Sequence, residues 1–130
     1  MHVNWLAVIA AAFSSFLLGG IWYAALFAKA HQQAASLSDA QVQGGSKALI
    51  FGGSFVLALI ASAMFAIFLG SETDLMTGTM YGFSAGLCWV ATSFGINYLF
   101  ERRSMALFLI NGGYHTLQFT LIGMILGAWH

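Results

Sequence analysis

The sequence predicts an all-α integral membrane protein with four transmembrane helices, and three observations carry that prediction. Hydrophobic residues make up 60% of the 130-residue chain and charged residues only 6%. Soluble domains carry about 25% charged residues, so a chain this poor in charge cannot cover a water-facing surface. Four apolar runs, at about 3–28, 48–69, 76–100 and 105–129, each meet the ~20-residue length that crosses a hydrocarbon layer about 30 Å thick. Those runs are continuous, whereas the strands of a membrane barrel alternate over ~10 residues, so a barrel is excluded. Residues 1–130 thus form one transmembrane domain with a soluble connector at 29–47.

The first run lacks a basic leading region and ends in bulky "IWYAALF", so it is expected to be a retained helix, not a cleaved signal. The connector contains "SLSDAQV", in which Ser38 followed by Gln41 is a capping-box signal for a turn or two of helix. "GGS" at 44–46 then breaks the chain before the second run. The turn "GSETDL" at 70–75 joins the second and third runs, and "ERRS" at 101–104 joins the third and fourth. The chain has no proline, so no helix is forced to kink by a missing N–H.

Four crossings place both termini and the 70–75 turn on one side, and the connector and 101–104 on the other. Lys29, Lys47, Arg102 and Arg103, all the basic residues of the chain, fall on that second side. Lysine and arginine accumulate in cytoplasmic loops, so both termini are expected outside. Trp5 and Trp129 would then sit at the outer interface, and Trp22, Tyr23 and Tyr98 at the inner one. Zero formal net charge without a basic run argues against nucleic-acid binding.

The two halves resemble each other. "LIFGGSFVLAL" (49–59) and "LINGGYHTLQF" (109–119) share L-I-x-G-G, and "GGIWYAALFAK" (19–29) and "FGINYLFER" (94–102) share G-I-x-Y followed by Leu-Phe and a basic end. The pattern fits a parallel 2+2 internal repeat, as in some transporters. In that register His115 matches Phe55 and Gln118 matches Ala58.

In lipid, helices associate through close backbone approach and hydrogen bonds, which makes stripes of small residues informative. The third run carries Gly78, Gly82 and Gly86 at four-residue spacing, and the second carries Ala58, Ser62 and Ala66. These are expected packing seams, and a chain with more seams than it needs internally is expected to form a homo-oligomer in the bilayer.

The fourth run is the least uniform. Asn111, His115 and Gln118 follow i, i+4, i+7 and share one helix face. His115 lies about ten residues beyond Ser104, or roughly 15 Å at 1.5 Å per residue, close to the midplane. A buried imidazole needs partners for its N–H and its lone pair. Ser14, Ser15, Thr92 and Ser93 stand at similar depth, with Tyr114 and Asn97 nearer the inner side. An ionisable residue inside a membrane is by default a functional-site hypothesis, and histidine titrates near working pH. No carboxylate lies inside any run, which disfavours an antiporter built on a buried acid. No nucleophile elbow accompanies His115, so no enzyme activity is expected. His2 and His130 could bind a metal or haem iron only as isolated terminal ligands, so no metal or cofactor is assigned. His31 reads as a solvated connector residue.

"LLGGIWYAALFAK", "YLFERRS" and "LFLINGGYHTLQFTLIGMIL" together resemble a family of small bacterial membrane proteins known as domain of unknown function 1761. The resemblance covers nearly the whole chain and is most specific at Leu18–Tyr23 and Ile110–His115. It implies four membrane helices in a bacterial inner membrane and implies no established activity. Asn111, Tyr114 and His115 match the family motif. Ala28 and His31 stand where that pattern has a glycine and a tryptophan. The expected function is a small oligomeric permease or channel-like protein with Asn111, His115, Gln118, Tyr114 and Asn97 along a polar path. A non-transporting membrane scaffold or accessory subunit is the alternative.

Overall fold

A computed structural model of the chain describes residues 3–129, with residue 43 described by its backbone alone. Four long helices and two short ones account for its regular structure, and no strand occurs among the described residues. They are α1 (Trp5–Leu26), α2 (Ala28–Ala34), α3 (Asp39–Gly44), α4 (Lys47–Leu69), α5 (Leu75–Glu101) and α6 (Met105–Ala128).

Each long helix starts where a side chain accepts one of the orphan N–H groups of the first turn. Asn4, Ser46, Asp74 and Ser104 accept from Ala7, Leu49, Thr77 and Leu107 respectively. Within the connector, Ser38 and Gln41 close both hydrogen bonds of a capping box and start α3. Gly70 ends α4 at φ 79°, a conformation that glycine reaches without steric cost. Arg102 ends α5 at φ 59°. Although the chain lacks proline, α1 and α5 are not regular throughout: Gly20–Leu26 and Gly86–Ala91 are wound as wider π turns.

The last helix, α6, is the centre of the bundle. α5 runs along it with backbone almost against backbone. A methyl group on Gly86 would stand 2.7 Å from the His115 carbonyl oxygen, and one on Gly127 would stand 2.5 Å from that of Asp74. Methyl groups on Gly78 and Gly82 would run into the carbonyls of Gly123 and Phe119. On its other side α6 meets α1, which presents the buried Ala7, Val8, Ala11, Ala12 and Ser15. α4 packs chiefly on α1, with Ala58 and Ser62 buried and Ala66 at the edge of the core. The dry core of Ala7, Val8, Ala11, Phe65, Ala85, Ile122 and Leu126 lies wholly in the half of the bundle that holds the chain termini.

By length and hydropathy three helices, α1, α4 and α5, suit a membrane crossing among the described residues, where the apolar runs suggested four. α6 has the length, at 24 residues, but its polar side chains dilute its hydropathy. The packing supplies the reason. α6 is shielded on several sides, with Ile110, Thr116, Gln118, Ile122 and Leu126 all buried. Its neighbours supply much of the outward apolar surface, as with Leu49, Leu57, Met64 and Phe68 of α4, and α6 adds a narrower stripe with Met105, Leu109 and Leu117. A helix enclosed by protein can carry polar groups that a lipid-facing helix cannot.

Candidate functional site

Away from the termini the bundle opens. A cleft of about 670 Å³ lies between α1, α4, α5 and α6, with α2 at its rim. α6 lines it with Asn111, Tyr114, His115 and Gln118; α1 with Phe16, Gly19 and Tyr23; α4 with Phe51, Ser54 and Ala58; α5 with Val90 and Phe94; and α2 with His31. No lining residue is an acid, a lysine or an arginine.

Hydrogen bonds tie the polar lining into two groups. In the first, the Tyr23 hydroxyl donates to Asn111 Oδ1 at 2.6 Å, and Asn111 Nδ2 donates to the Tyr98 hydroxyl at 2.6 Å. The amide of Asn111 thus joins α1 to α5 through α6. Beside it the indole N–H of Trp22 donates to the Ile110 carbonyl at 2.8 Å, with its ring against Gly113, where a side chain would collide. The Tyr114 hydroxyl donates to the Ser15 carbonyl at 3.0 Å, and the absence of a side chain on Gly19 leaves room for it.

The second group is His115 with Gln118, joined at 2.6 Å between Nδ1 and Oε1. Phe94 stacks on the imidazole, with ring centroids 4.9 Å apart and planes 12° apart, and Tyr114 meets it edge-on at 4.8 Å. This places the ring in an aromatic slot with one nitrogen bonded. At the rim, His31 meets the Tyr23 ring edge-on at 4.9 Å, and burial lowers its pKa from the ordinary 6.5.

Asn111, Tyr114, His115 and Gln118 therefore come together in one cleft, and Asn97 does not. Asn97 is exposed on α5 and lies outside the cleft, and its neighbour Tyr98 makes the inward contact instead. The hydroxyls expected to serve His115 are otherwise engaged or absent from it. Thr92 and Ser93 donate back to carbonyls of their own helix, as exposed helical hydroxyls commonly do. Ser14 donates to Ala11, and the Ser15 hydroxyl, like that of Ser62, is buried without a partner. His31 is half-buried against Tyr23 instead of solvated. Trp22 and Tyr23, assigned by composition to an interfacial belt, turn inward onto α6. The signals that accompany them are Gly19, which makes room for the Tyr114 ring, and Gly113, over which the Trp22 ring lies. His2 and His130 lie outside the described residues. Among the described residues no group of three His, Cys, Asp or Glu side chains has the geometry of a metal site.

Neither a curated protein nor a solved structure matches the chain. A family model does, over residues 6–127, which include every residue of the cleft. With nearly its whole length matched, the chain belongs to the family described as Protein of unknown function (DUF1761).

Proposed function

We propose that this protein is a small permease of the bacterial inner membrane, crossing it four times, with the cleft as its substrate site. One observation carries the reading: the cleft is one-sided. It begins at His31 and Ile50 near the connector and reaches Gln118, Phe119 and Ala61 midway along the helices, where the dry core around Ile122 stops it. A chamber with a polar floor on α6 that stops midway along the helices is what one state of an alternating-access cycle requires. The four basic residues cluster at the connector end, which supports a cytoplasmic orientation of the open side and outside termini.

α6 counts as the fourth crossing because its 24 residues suffice in length, its exposed stripe of Met105, Leu109 and Leu117 is apolar, and its polar groups are turned toward protein. The two glycine pairs of the proposed repeat are used differently: Gly112 and Gly113 pack against Ala91 and Trp22, while Gly52 and Gly53 face open space. A duplicated chain that kept a polar site in one half only would show such a difference. The glycine stripe of α5 and the small-residue stripe of α4 are both occupied within one chain, so the permease is proposed to work as a single chain or through other surfaces.

Thiol access tests the reading. In a Cys88→Ser background, Ser54→Cys places a thiol in the cleft wall. Reconstituted in liposomes, it should react with a membrane-impermeant maleimide applied to the connector side. It should also react, more slowly, with reagent applied to the side of the termini. Labelling from one side alone under every condition would leave a fixed membrane scaffold and overturn the permease.

A further inference from the structure

The geometry points to an uncharged, bilayer-soluble alcohol as the ligand of the cleft, admitted sideways between α4 and α5 and held by its hydroxyl between His115 and Gln118. This inference rests on the proposal that the cleft is a ligand site, but it does not depend on transport.

The entrance is set by which helices touch. α4 packs on α1 and lightly on α6, and it shares no extensive contact with α5. The two meet near the termini end, where the rings of Phe68 and Tyr81 lie 6.1 Å apart. Farther along they diverge, yet both wall the cleft: Ser54, Leu57 and Ala61 on one side, Val90 and Phe94 on the other. The gap between them faces outward, where a membrane would supply acyl chains and not water. A molecule entering by this route must be soluble in hydrocarbon.

The head group is set by the groups left unpaired. Tyr23 and Tyr114 have spent their hydroxyl protons on Asn111 and the Ser15 carbonyl, and Asn111 is held between Tyr23 and Tyr98 with one amide N–H left over and no acceptor to match it. His115 and Gln118 both line the cleft, bond once to each other, and each keeps a second polar atom with no protein partner. If the imidazole Nδ1 carries the proton, Nε2 is a free acceptor and the Gln118 amide nitrogen a free donor. If the amide is turned round, its oxygen becomes the free acceptor and imidazole Nε2–H the free donor. Either assignment leaves at least one donor and one acceptor on this pair.

A hydroxyl satisfies both at once, donating to one and accepting from the other. An ether or a ketone satisfies only the donor and strands the acceptor, and an unmatched polar group in a dry site is costly. An ammonium or carboxylate head would find no counter-charge, since no ionised side chain lines the cleft. Phe51, Phe94 and Phe119 supply apolar walls for the rest of the molecule.

Equilibrium binding to purified protein in nanodiscs tests this with three probes of one skeleton: farnesol, farnesyl methyl ether and farnesylamine. Farnesol should bind saturably, and the ether about tenfold more weakly, as expected for one lost hydrogen bond that leaves its partner unsatisfied. The amine should bind no better than the ether. Gln118→Leu should bring farnesol down to the level of the ether. Ser54→Trp, at an exposed position on the wall that cannot disturb the core, should weaken all three together. Equal binding of farnesol and its ether, preferred binding of the amine, or no saturable binding would each overturn the inference. Farnesol binding with one-sided thiol access would retain the site and end the permease. Two-sided access with no preference for the alcohol would do the reverse.

Discussion

The hydroxyl of Tyr23 and the side-chain oxygen of Asn111 meet at 2.6 Å although 88 positions separate them in the chain. Asn111 passes the contact on to Tyr98 at the same distance, so one amide holds the connector-side ends of α1, α5 and α6 together. In a bundle embedded in lipid such bonds average about 0.6 kcal/mol and reach about 1.7. Tyr23→Phe, which removes one bond and keeps the ring, should lower stability to denaturation by SDS by about that range. Asn111→Leu, which strands two tyrosines, should cost more. Equal stability of wild type and Asn111→Leu would show that the relay contributes nothing.

Glycines in this chain divide into two kinds, and substitution should separate them. A methyl on Gly82 runs into the Phe119 carbonyl, which is backbone and cannot swing aside. Gly82→Ala should therefore force α5 and α6 apart and destabilise by about 1–3 kcal/mol or more, the usual cost of overpacking. A methyl on Gly52 meets nothing within 4 Å. Gly52→Ala should be neutral or stabilise by up to about 1 kcal/mol, through helix propensity alone. The two variants compared in one SDS titration decide it, and equal effects would refute the backbone contact.

Much of this arrangement is visible in the sequence because it is periodic. Four-residue spacing of Gly78, Gly82 and Gly86 specifies a flat helix face, and i, i+4, i+7 spacing puts Asn111, His115 and Gln118 on one side of α6 whatever the fold. What spacing cannot supply is the partner across the gap. Hydroxyl depth pointed to Thr92 and Ser93, but helical threonine and serine satisfy themselves on the preceding turn and leave the site to longer side chains. The same blindness affected Asn97 and Tyr98. Adjacent residues on a helix face 100° apart, and composition does not say which of them looks inward. The count of crossings differs for a related reason: four apolar runs stand in the sequence, but three helices have the length and hydropathy to cross a membrane, because the polar face of α6 lowers its average.

Acid should weaken the connector end. Burial against Tyr23 lowers the His31 pKa from 6.5, so the folded chain binds that proton less readily than the unfolded one. Stability linked to His31 is therefore complete above about pH 6.5, and it falls as the pH drops through 6.5 toward the lowered value. Thermal unfolding in detergent from pH 8 to pH 5 should show a steeper acid loss for wild type than for His31→Gln. Parallel curves would mean that the ring is free in solution.

Trp22→Phe removes the donor to the Ile110 carbonyl and part of the ring that rests on Gly113. The lost bond and lost contact area together should cost about 1–3 kcal/mol. Unfolding by SDS measures that cost, and because Trp5, Trp89 and Trp129 are exposed, the average acrylamide quenching should rise when the shielded Trp22 is removed. A variant as stable as wild type would place the indole in lipid.

The wide turn at Gly20–Leu26 has a consequence for how this chain tolerates insertions and deletions. A π turn takes up a residue more than an α turn, so it acts as a phase shift between the two parts of α1. Upstream, Ala7, Ala11 and Ser15 are in step with α4 and α6; within the turn, Trp22 and Tyr23 are in step with their acceptors on α6. Removing a single residue late in the turn would let it relax to ordinary winding with the flanking segments still in phase. The same deletion in the regular part of α1 would instead rotate everything after it by roughly 100°. Only the deletion in the regular part would swing both aromatic donors off their acceptors. The wide turn is therefore the one place in this helix with a residue to spare.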